Sequence, residues 1–275
     1  MDSLLITQTS TLERPAPAAP LLSLRGVTRR FRTNRHDTTA VQDVTVDVHE
    51  GEFICVLGPS GCGKSTLLNL IAGLDHPDAG EVRFAGAPVR GPGADRVVVF
   101  QEPALYPWLN VRANVELGLR IRGVPRRERQ EVVDRYLDLV HLRRFERAYV
   151  HELSGGMKQR VQLARALAVE PCVLLMDEPF AALDAQTRDD LQEEIQEIWA
   201  RIGATIIFVT HNVREAAILA DRVLVMTPSP GRIQRDIPVP LGRPRRHDDH
   251  AVVDLAATIR EELIRGRTNW EAGYG

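Results

Sequence analysis

Phe53-Ile54-Cys55-Val56-Leu57 runs directly into Gly58-Pro59-Ser60-Gly61-Cys62-Gly63-Lys64-Ser65-Thr66, and a helical pattern follows over residues 64–73. The first run is apolar throughout, as in a strand covered on both faces. The second fits G-x-x-x-x-G-K-[ST] and lies between strand and helix, the setting that gives the pattern meaning. Glycines let the backbone curl until consecutive N–H groups face an anion, and the helix adds the positive end of its dipole. The spacing therefore predicts a phosphate cradle made of Gly58, Pro59, Ser60, Gly61, Cys62, Gly63, Lys64, Ser65 and Thr66. Lys64 would reach the β- and γ-phosphates of a nucleoside triphosphate, and the Ser65 hydroxyl would help hold Mg²⁺. The other reading is a chance Gly-rich turn, which has no need of these flanks.

A second apolar run, Val173-Leu174-Leu175-Met176, ends in Asp177-Glu178. Such a strand would deliver Asp177 to the metal edge of the same pocket, and Glu178 to a position from which it can orient or deprotonate a water. Alone, an apolar run ending in two acids often marks only a strand entering a turn. Around these two strands the chain alternates strand with helix. Residues 41–48 alternate apolar with polar, 172–176 and 205–209 are buried-type strands, and 184–202 is a long amphipathic helix with Leu191, Ile195, Ile198, Trp199 and Ile202 on one face, opposite Asp190, Glu193, Glu194 and Glu197. Residues 110–168 read mostly as helices, with Val132, Val133, Tyr136, Leu137 and Val140 along one side of 126–140. This order predicts an α/β fold with a mainly parallel sheet, interrupted by a helical insertion.

The whole chain agrees with that class. Its 275 residues are 44% hydrophobic and 26% charged, ordinary for a globular protein. Lys+Arg (35) nearly balance Asp+Glu (37), and aromatics are only 5%, so neither field nor stacking surface argues for a nucleic-acid partner. No apolar stretch approaches the ~20 residues of a membrane span. Residues 1–20 have Asp2 early and no basic cluster ahead of an apolar core, so they read as a disordered tail and not a secretory signal. Cys55, Cys62 and Cys172 are isolated, which predicts neither a disulfide framework nor a zinc site and suits a reducing cytosol.

Leu153-Ser154-Gly155-Gly156-Met157-Lys158-Gln159-Arg160 resembles the signature of ABC ATPases. Gln101 follows an apolar strand as the Q-loop glutamine does, Ala182-Leu183-Asp184 looks like the D-loop, and Thr210-His211 ends a strand as the switch histidine does. Phe31 sits where the family places an aromatic on the adenine ring. The resemblance covers about residues 21–235, with Met157 in place of a more usual Gln and Ala182 in place of Ser or Gly. It implies a P-loop ABC ATPase core with an antiparallel β subdomain and an inserted helical subdomain at about 101–168. The divisions it suggests are a tail at 1–20, an ATPase domain at 21–240 and an extension with an amphipathic helix at 241–275. The implied cofactors are ATP and Mg²⁺. Lys64, Glu178 and His211 would be catalytic, Ser65, Gln101 and Asp177 would lie on the metal, and Ser154, Gly155 and Gly156 would complete the site in trans on a second copy of the chain. Each motif has a plainer reading as well: Ser154 as a helix cap, His211 as a strand-end surface residue, Phe31 as an aromatic packed on the sheet.

A separate ATPase without membrane helices, coiled-coil insertions or a second P-loop resembles the ATP-binding subunit of an importer. That implies permease subunits as partners, a periplasmic or lipid-anchored solute-binding protein acting indirectly, and a peripheral place on the cytoplasmic face of the inner membrane. Tyr106 and Trp108, set among Pro103 and Pro107, would contact the permease; the alternative is that both rings are ordinary core. Gly91-Pro92-Gly93-Ala94-Asp95-Arg96, Leu105-Tyr106-Pro107-Trp108 and Asp177-Glu178-Pro179-Phe180-Ala181-Ala182-Leu183-Asp184 together are similar to the nitrate/sulfonate/taurine importer ATPases. Within that group the resemblance leans to taurine or other aliphatic sulfonates, with nitrate and pyrimidine-precursor uptake beside it and a soluble, non-transport ABC ATPase further off.

Overall fold

The computed structural model describes residues 19–32 and 37–274, with side chains as far as Arg265. The expected N-terminal tail lies outside the described residues except for Ala19 and Pro20, and so do residues 33–36 of the polar loop. In chain order the elements are β1 (Leu22–Arg32), β2 (Asp37–Val48), β3 (Phe53–Leu57), α1 (Lys64–Ala72), β4 (Ala79–Phe84), β5 (Ala87–Pro88) and β6 (Arg96–Val99). Then come α2 (Val111–Ile121), α3 (Arg126–Leu139), α4 (Gly155–Ala168), β7 (Val173–Asp177), α5 (Ala185–Ile202) and β8 (Thr205–Thr210). Last are α6 (Val213–Leu219), β9 (Arg222–Met226), β10 (Ile233–Pro238) and α7 (His250–Tyr274).

Among the described residues the strands form two sheets. One has four antiparallel strands in the order β2-β1-β4-β5; the other has six in the order β10-β9-β3-β8-β7-β6, parallel except for the β10–β9 pair. The apolar runs follow from burial on both faces of the larger sheet. Phe53, Cys55 and Leu57 of β3 point into one core, with Leu174, Met176, Ile206 and Phe208 and the helices α2 to α7. Ile54 and Val56 point into the other, with Leu175, Ile207, Val209, α1 and the four-stranded sheet. A strand lodged between two cores has no face to leave polar.

Helix faces follow the expected periodicity with two departures on α5: Ile202, expected on the apolar face, is exposed at the helix end, and Glu194 is drawn inward. Val132, Val133, Tyr136, Leu137 and Val140 are all buried, as are Leu191, Ile195 and Ile198 of α5. Gln192 and Gln196 are buried beside them. Glu194, placed by periodicity on the solvent side of α5, is half-buried and meets Arg160 of α4 at 2.8 Å. Burial raises its carboxyl pKa and the Arg160 charge opposes the shift.

The C-terminal segment is stitched to the core by two arginines. The Arg245 side chain is 3% exposed, and its Nη1 donates to the carbonyls of Ala217, Ile218 and Ala220 at 3.2, 3.3 and 2.6 Å, capping α6. Gln196 grips its backbone from both sides, accepting from Arg245 N at 2.9 Å and donating to Arg245 O at 3.0 Å. Burial, with the Arg243 charge nearby, pulls the Arg245 pKa down to about 10. The Arg243 guanidinium stacks 4.3 Å from the Trp199 ring and donates to Leu219 O and Asp221 Oδ1. Val252 and Ile259 of α7 are then buried in the first core. Arg245→Ala is expected to leave several buried carbonyls unpartnered and to cost about 1–3 kcal/mol, read as a Tm lower by several degrees. Arg245→Lys, which lacks the fork, should recover only part of the loss. An unchanged Tm in Arg245→Ala would show that water replaces the clamp.

Candidate active site

Three neighbouring strands set the site. β3 and β8 run parallel with Leu57 beside Thr210, and β8 and β7 with Val209 beside Asp177. The glycine loop, Glu178 and His211 therefore leave the sheet from one edge. At Gly63 the loop takes a left-handed turn, φ +96°, and a Cβ there would stand 2.4 Å from the Ala40 carbonyl oxygen. Only glycine accepts both demands. Lys64, 5% exposed, opens α1; its Nζ donates to Gly58 O and Pro59 O at 3.0 Å each and lies 3.5 Å from Glu178 Oε1. The other Glu178 oxygen, Oε2, is 2.8 Å from His211 Nδ1. Ser65 Oγ donates to Asp177 Oδ1 at 3.0 Å.

Burial raises the Asp177 pKa; the Ser65 hydrogen bond and the Lys64 charge work against it, and the neighbouring Glu178 charge adds to it. Such a carboxylate lacks a full countercharge, and beside a hydroxyl it suits a divalent cation. No group of three or more His, Cys, Asp and Glu that could hold a metal occurs among the described residues. One carboxylate and one hydroxyl are nonetheless the ligand share that Mg²⁺ takes from a protein when phosphate oxygens supply the rest. Glu178 itself has φ +44°, a left-handed backbone rare for a non-glycine residue. It is held there by Glu178 N donating to Val209 O at 3.0 Å and by Ala181 N donating to Glu178 O at 3.1 Å. Strain of this kind costs about 1–3 kcal/mol and persists where the surroundings over-determine it.

The remaining expected residues lie around this group. Hydrogen bonds and ion pairs join Lys64, Glu178 and His211 in one group and Ser65 and Asp177 in another, the two adjacent through the Asp177–Glu178 peptide. Among the described residues none links them to Phe31, Gln101 or residues 154–156. Phe31 is an exposed ring on β1 with the Arg29 guanidinium 5.0 Å from its centroid, so it is not packed into the sheet. Gln101 lies two residues beyond Val99, which pairs with Met176 on the strand that carries Asp177. Ser154 caps α4, accepting from Met157 N at 3.3 Å, and both it and Gly155 are exposed. Gly156 is buried against α5, where a Cβ would come 2.6 Å from Thr187 Cγ2.

Tyr106 and Trp108 are surface residues and not core. They are 39% and 70% exposed, with ring centroids 5.4 Å apart. Asn114, fully buried on α2, holds their loop by donating to the carbonyls of Tyr106, Leu109 and Asn110 and accepting from Tyr106 N at 2.9 Å. From α4, Gln159, Gln162 and Arg165 donate to the carbonyls of Gln101, Phe100 and Ala104 at 3.1, 3.1 and 2.7 Å. Sequence reading did not single out these four positions. The available signal was Gln159 and Gln162 three residues apart on a helix face that also carries Gly156, Leu163 and Ala166.

The family model of the ABC transporter matches residues 41–181. The chain belongs to the ABC transporter family. It is an ATPase that binds ATP with Mg²⁺, and it belongs to a membrane-associated assembly. The ATPase is 51% identical over 229 residues to the taurine import ATP-binding protein TauB of Chromobacterium violaceum, covering 82% of this chain and 88% of that one. It is 49% identical over 220 residues to the nitrate import ATP-binding protein NrtD of Synechocystis sp., covering 80% and 83%. Among solved structures it is similar to the dimeric post-hydrolysis state of the ATP-binding cassette MJ0796 bound to ADP and Pi. That match has a TM-score of 0.70 at 31% identity and covers 80% of this chain and 100% of that one. In the ATPase, Gly63→Ala is expected to weaken nucleotide binding about tenfold or more, the equivalent of the strain imposed at that turn. Titration with a fluorescent ATP analogue reads this directly, and an unchanged Kd would mean the loop reforms around the methyl group.

Proposed function

We propose that this ATPase energises an importer of a small oxyanion-type solute, an aliphatic sulfonate such as taurine before nitrate. The observation that carries the hydrolytic part is Glu178, held between Lys64 and His211 and next in sequence to the Asp177–Ser65 pair. In this reading Lys64 exchanges its two loop carbonyls for β- and γ-phosphate oxygens. Ser65 and Asp177 hold Mg²⁺, which when bound neutralises charge on the phosphates. Gln101 completes that side. Glu178 takes the proton of the attacking water, and His211 orients both Glu178 and the terminal phosphate. Phe31 stacks on the adenine.

The exposed Ser154–Gly155 start of α4 supports a role for a second copy, since a capped helix N-terminus offers N–H groups and a hydroxyl to a phosphate. Two chains placed head to tail would enclose two nucleotides. Tyr106 and Trp108, rigid and exposed, are the permease contact, and the solute-binding protein acts only through that permease. The whole lies on the cytoplasmic face of the inner membrane. Solute preference rests on the relatives named for taurine import, and the nitrate relative of nearly equal similarity keeps nitrate as the second reading.

A deletion strain should fail on taurine as sole sulfur source while growing on sulfate, with wild type and not Glu178→Gln restoring growth. Purified Glu178→Gln should bind ATP and lose hydrolysis by at least about 10²-fold. Wild-type turnover in that variant would remove Glu178 as the base, and failure on nitrate alone would move the solute to nitrate. For the docking surface, Trp108→Ala should reduce co-purification with the permease subunits; undiminished assembly would place the contact elsewhere.

A further inference from the structure

The molecule carries a buried acid next to the hydrolytic centre that the reading above does not use. Glu215, in the first turn of α6, is 6% exposed. Asn212 caps α6, and the Asn212-x-x-Glu215 spacing is that of a capping box, in which the acid would return to the backbone N–H of the cap. Here the Thr210 hydroxyl stands between them. Thr210 Oγ1 accepts from Asn212 N at 2.9 Å and donates to Glu215 Oε2 at 2.5 Å. The residues on both sides of His211 are thereby fastened to one carboxylate.

The other oxygen of that carboxylate faces α5. Glu215 Oε1 accepts from Gln192 Nε2 at 3.4 Å and lies 3.9 Å from Arg188 Nε. Arg188 also donates to Phe180 O at 3.3 Å and Leu183 O at 2.9 Å, two carbonyls in the turn that begins at Glu178 and ends at the Asp184 cap. Glu178, His211, Arg188 and Glu215 line one small pocket together with Thr210 and Asn212. Burial raises the Glu215 pKa, while the Thr210 hydrogen bond and the Arg188 charge lower it. A cap for a short helix needs none of this. A neutral side chain would satisfy Asn212 N without burying a charge, which is costly unless its partners are well placed.

We propose that Glu215 and Arg188 are positioning residues that lock the switch histidine, through Thr210 and Asn212, to the turn following Glu178. His211 and Glu178 would then keep their 2.8 Å approach only while both ends of the lock are closed. A partner chain that displaced residues 180–183 would reach His211 through Arg188. The proposal rests on the roles assigned above to Glu178 and His211.

The test is steady-state ATP hydrolysis by the full chain, with kcat and KM separated and Tm recorded for each variant. Glu215→Gln offers a single acceptor and turns an amide N–H₂ toward other donors, and Arg188→Gln removes the fork. Thr210→Val removes the hydroxyl at nearly constant volume, and serves if Glu215→Gln does not fold. Each is expected to lower kcat roughly tenfold or more, with KM for ATP within about twofold. The Thr210→Val/Arg188→Gln double variant should lose no more than the worse single one, because the parts act as a unit. Wild-type kcat in Thr210→Val and Arg188→Gln, with or without a lower Tm, would reduce the network to a helix cap and overturn the proposal. Losses that multiply in the double variant would also overturn it. Glu178→Gln is the reference. Full turnover in that variant would instead mean that the site reading beneath the proposal has failed.

Discussion

The parallel pairing of β3, β8 and β7 is the constraint from which the site follows. Each strand ends where its neighbour ends, so the three loops that leave them share one edge. Backbone hydrogen bonds set this register, and the apolar side chains set its depth, because each of these strands divides its residues between two cores. A slip of one residue would carry Leu57 and Phe53 into the wrong core and move Asp177 away from Ser65. The site thus inherits its precision from apolar side chains packed on both faces of these strands. It also explains how a backbone as unfavourable as that of Glu178 persists: its N–H continues the β7–β8 ladder by bonding Val209.

Much of this was legible because the relevant signals are local. The glycine loop, its strand and its helix are contiguous, and so are the apolar run and the acid pair at its end. The helix faces of α3 and α5 could be read from their spacing. Glu194 marks where spacing fails, since a helix that packs on a second helix has no clean solvent side and Arg160 supplies the missing countercharge.

The polar supports were not legible for a physical reason. Gln159 bonds a carbonyl 58 residues away, and Gln162 one 62 residues away. Arg245 reaches back 25 to 28 residues to the end of α6. A buried amide or guanidinium is tolerated only where such partners exist, and no pattern within one element reveals them. Tyr106 and Trp108 illustrate the same limit. Aromatic rings among prolines suit a core or a surface equally well, and the choice falls to Asn114, whose amide is consumed in holding their loop in place.

Helix α4 has a mechanical consequence. Its first turn carries the exposed Ser154 and Gly155, while Gln159, Gln162 and Arg165 farther along grip the strand of chain leading to Tyr106. Ser154 and Arg165 are separated by about 16 Å at the rise of an α-helix. A hydrogen-bonded rod of that length does not stretch, and its grips are on backbone oxygens, which cannot rotate away as side chains do. A displacement at one end is therefore carried along the helix axis toward the other, as in a crank arm. The protein thus joins the exposed first turn of α4 to an aromatic surface by the stiffness of one helix.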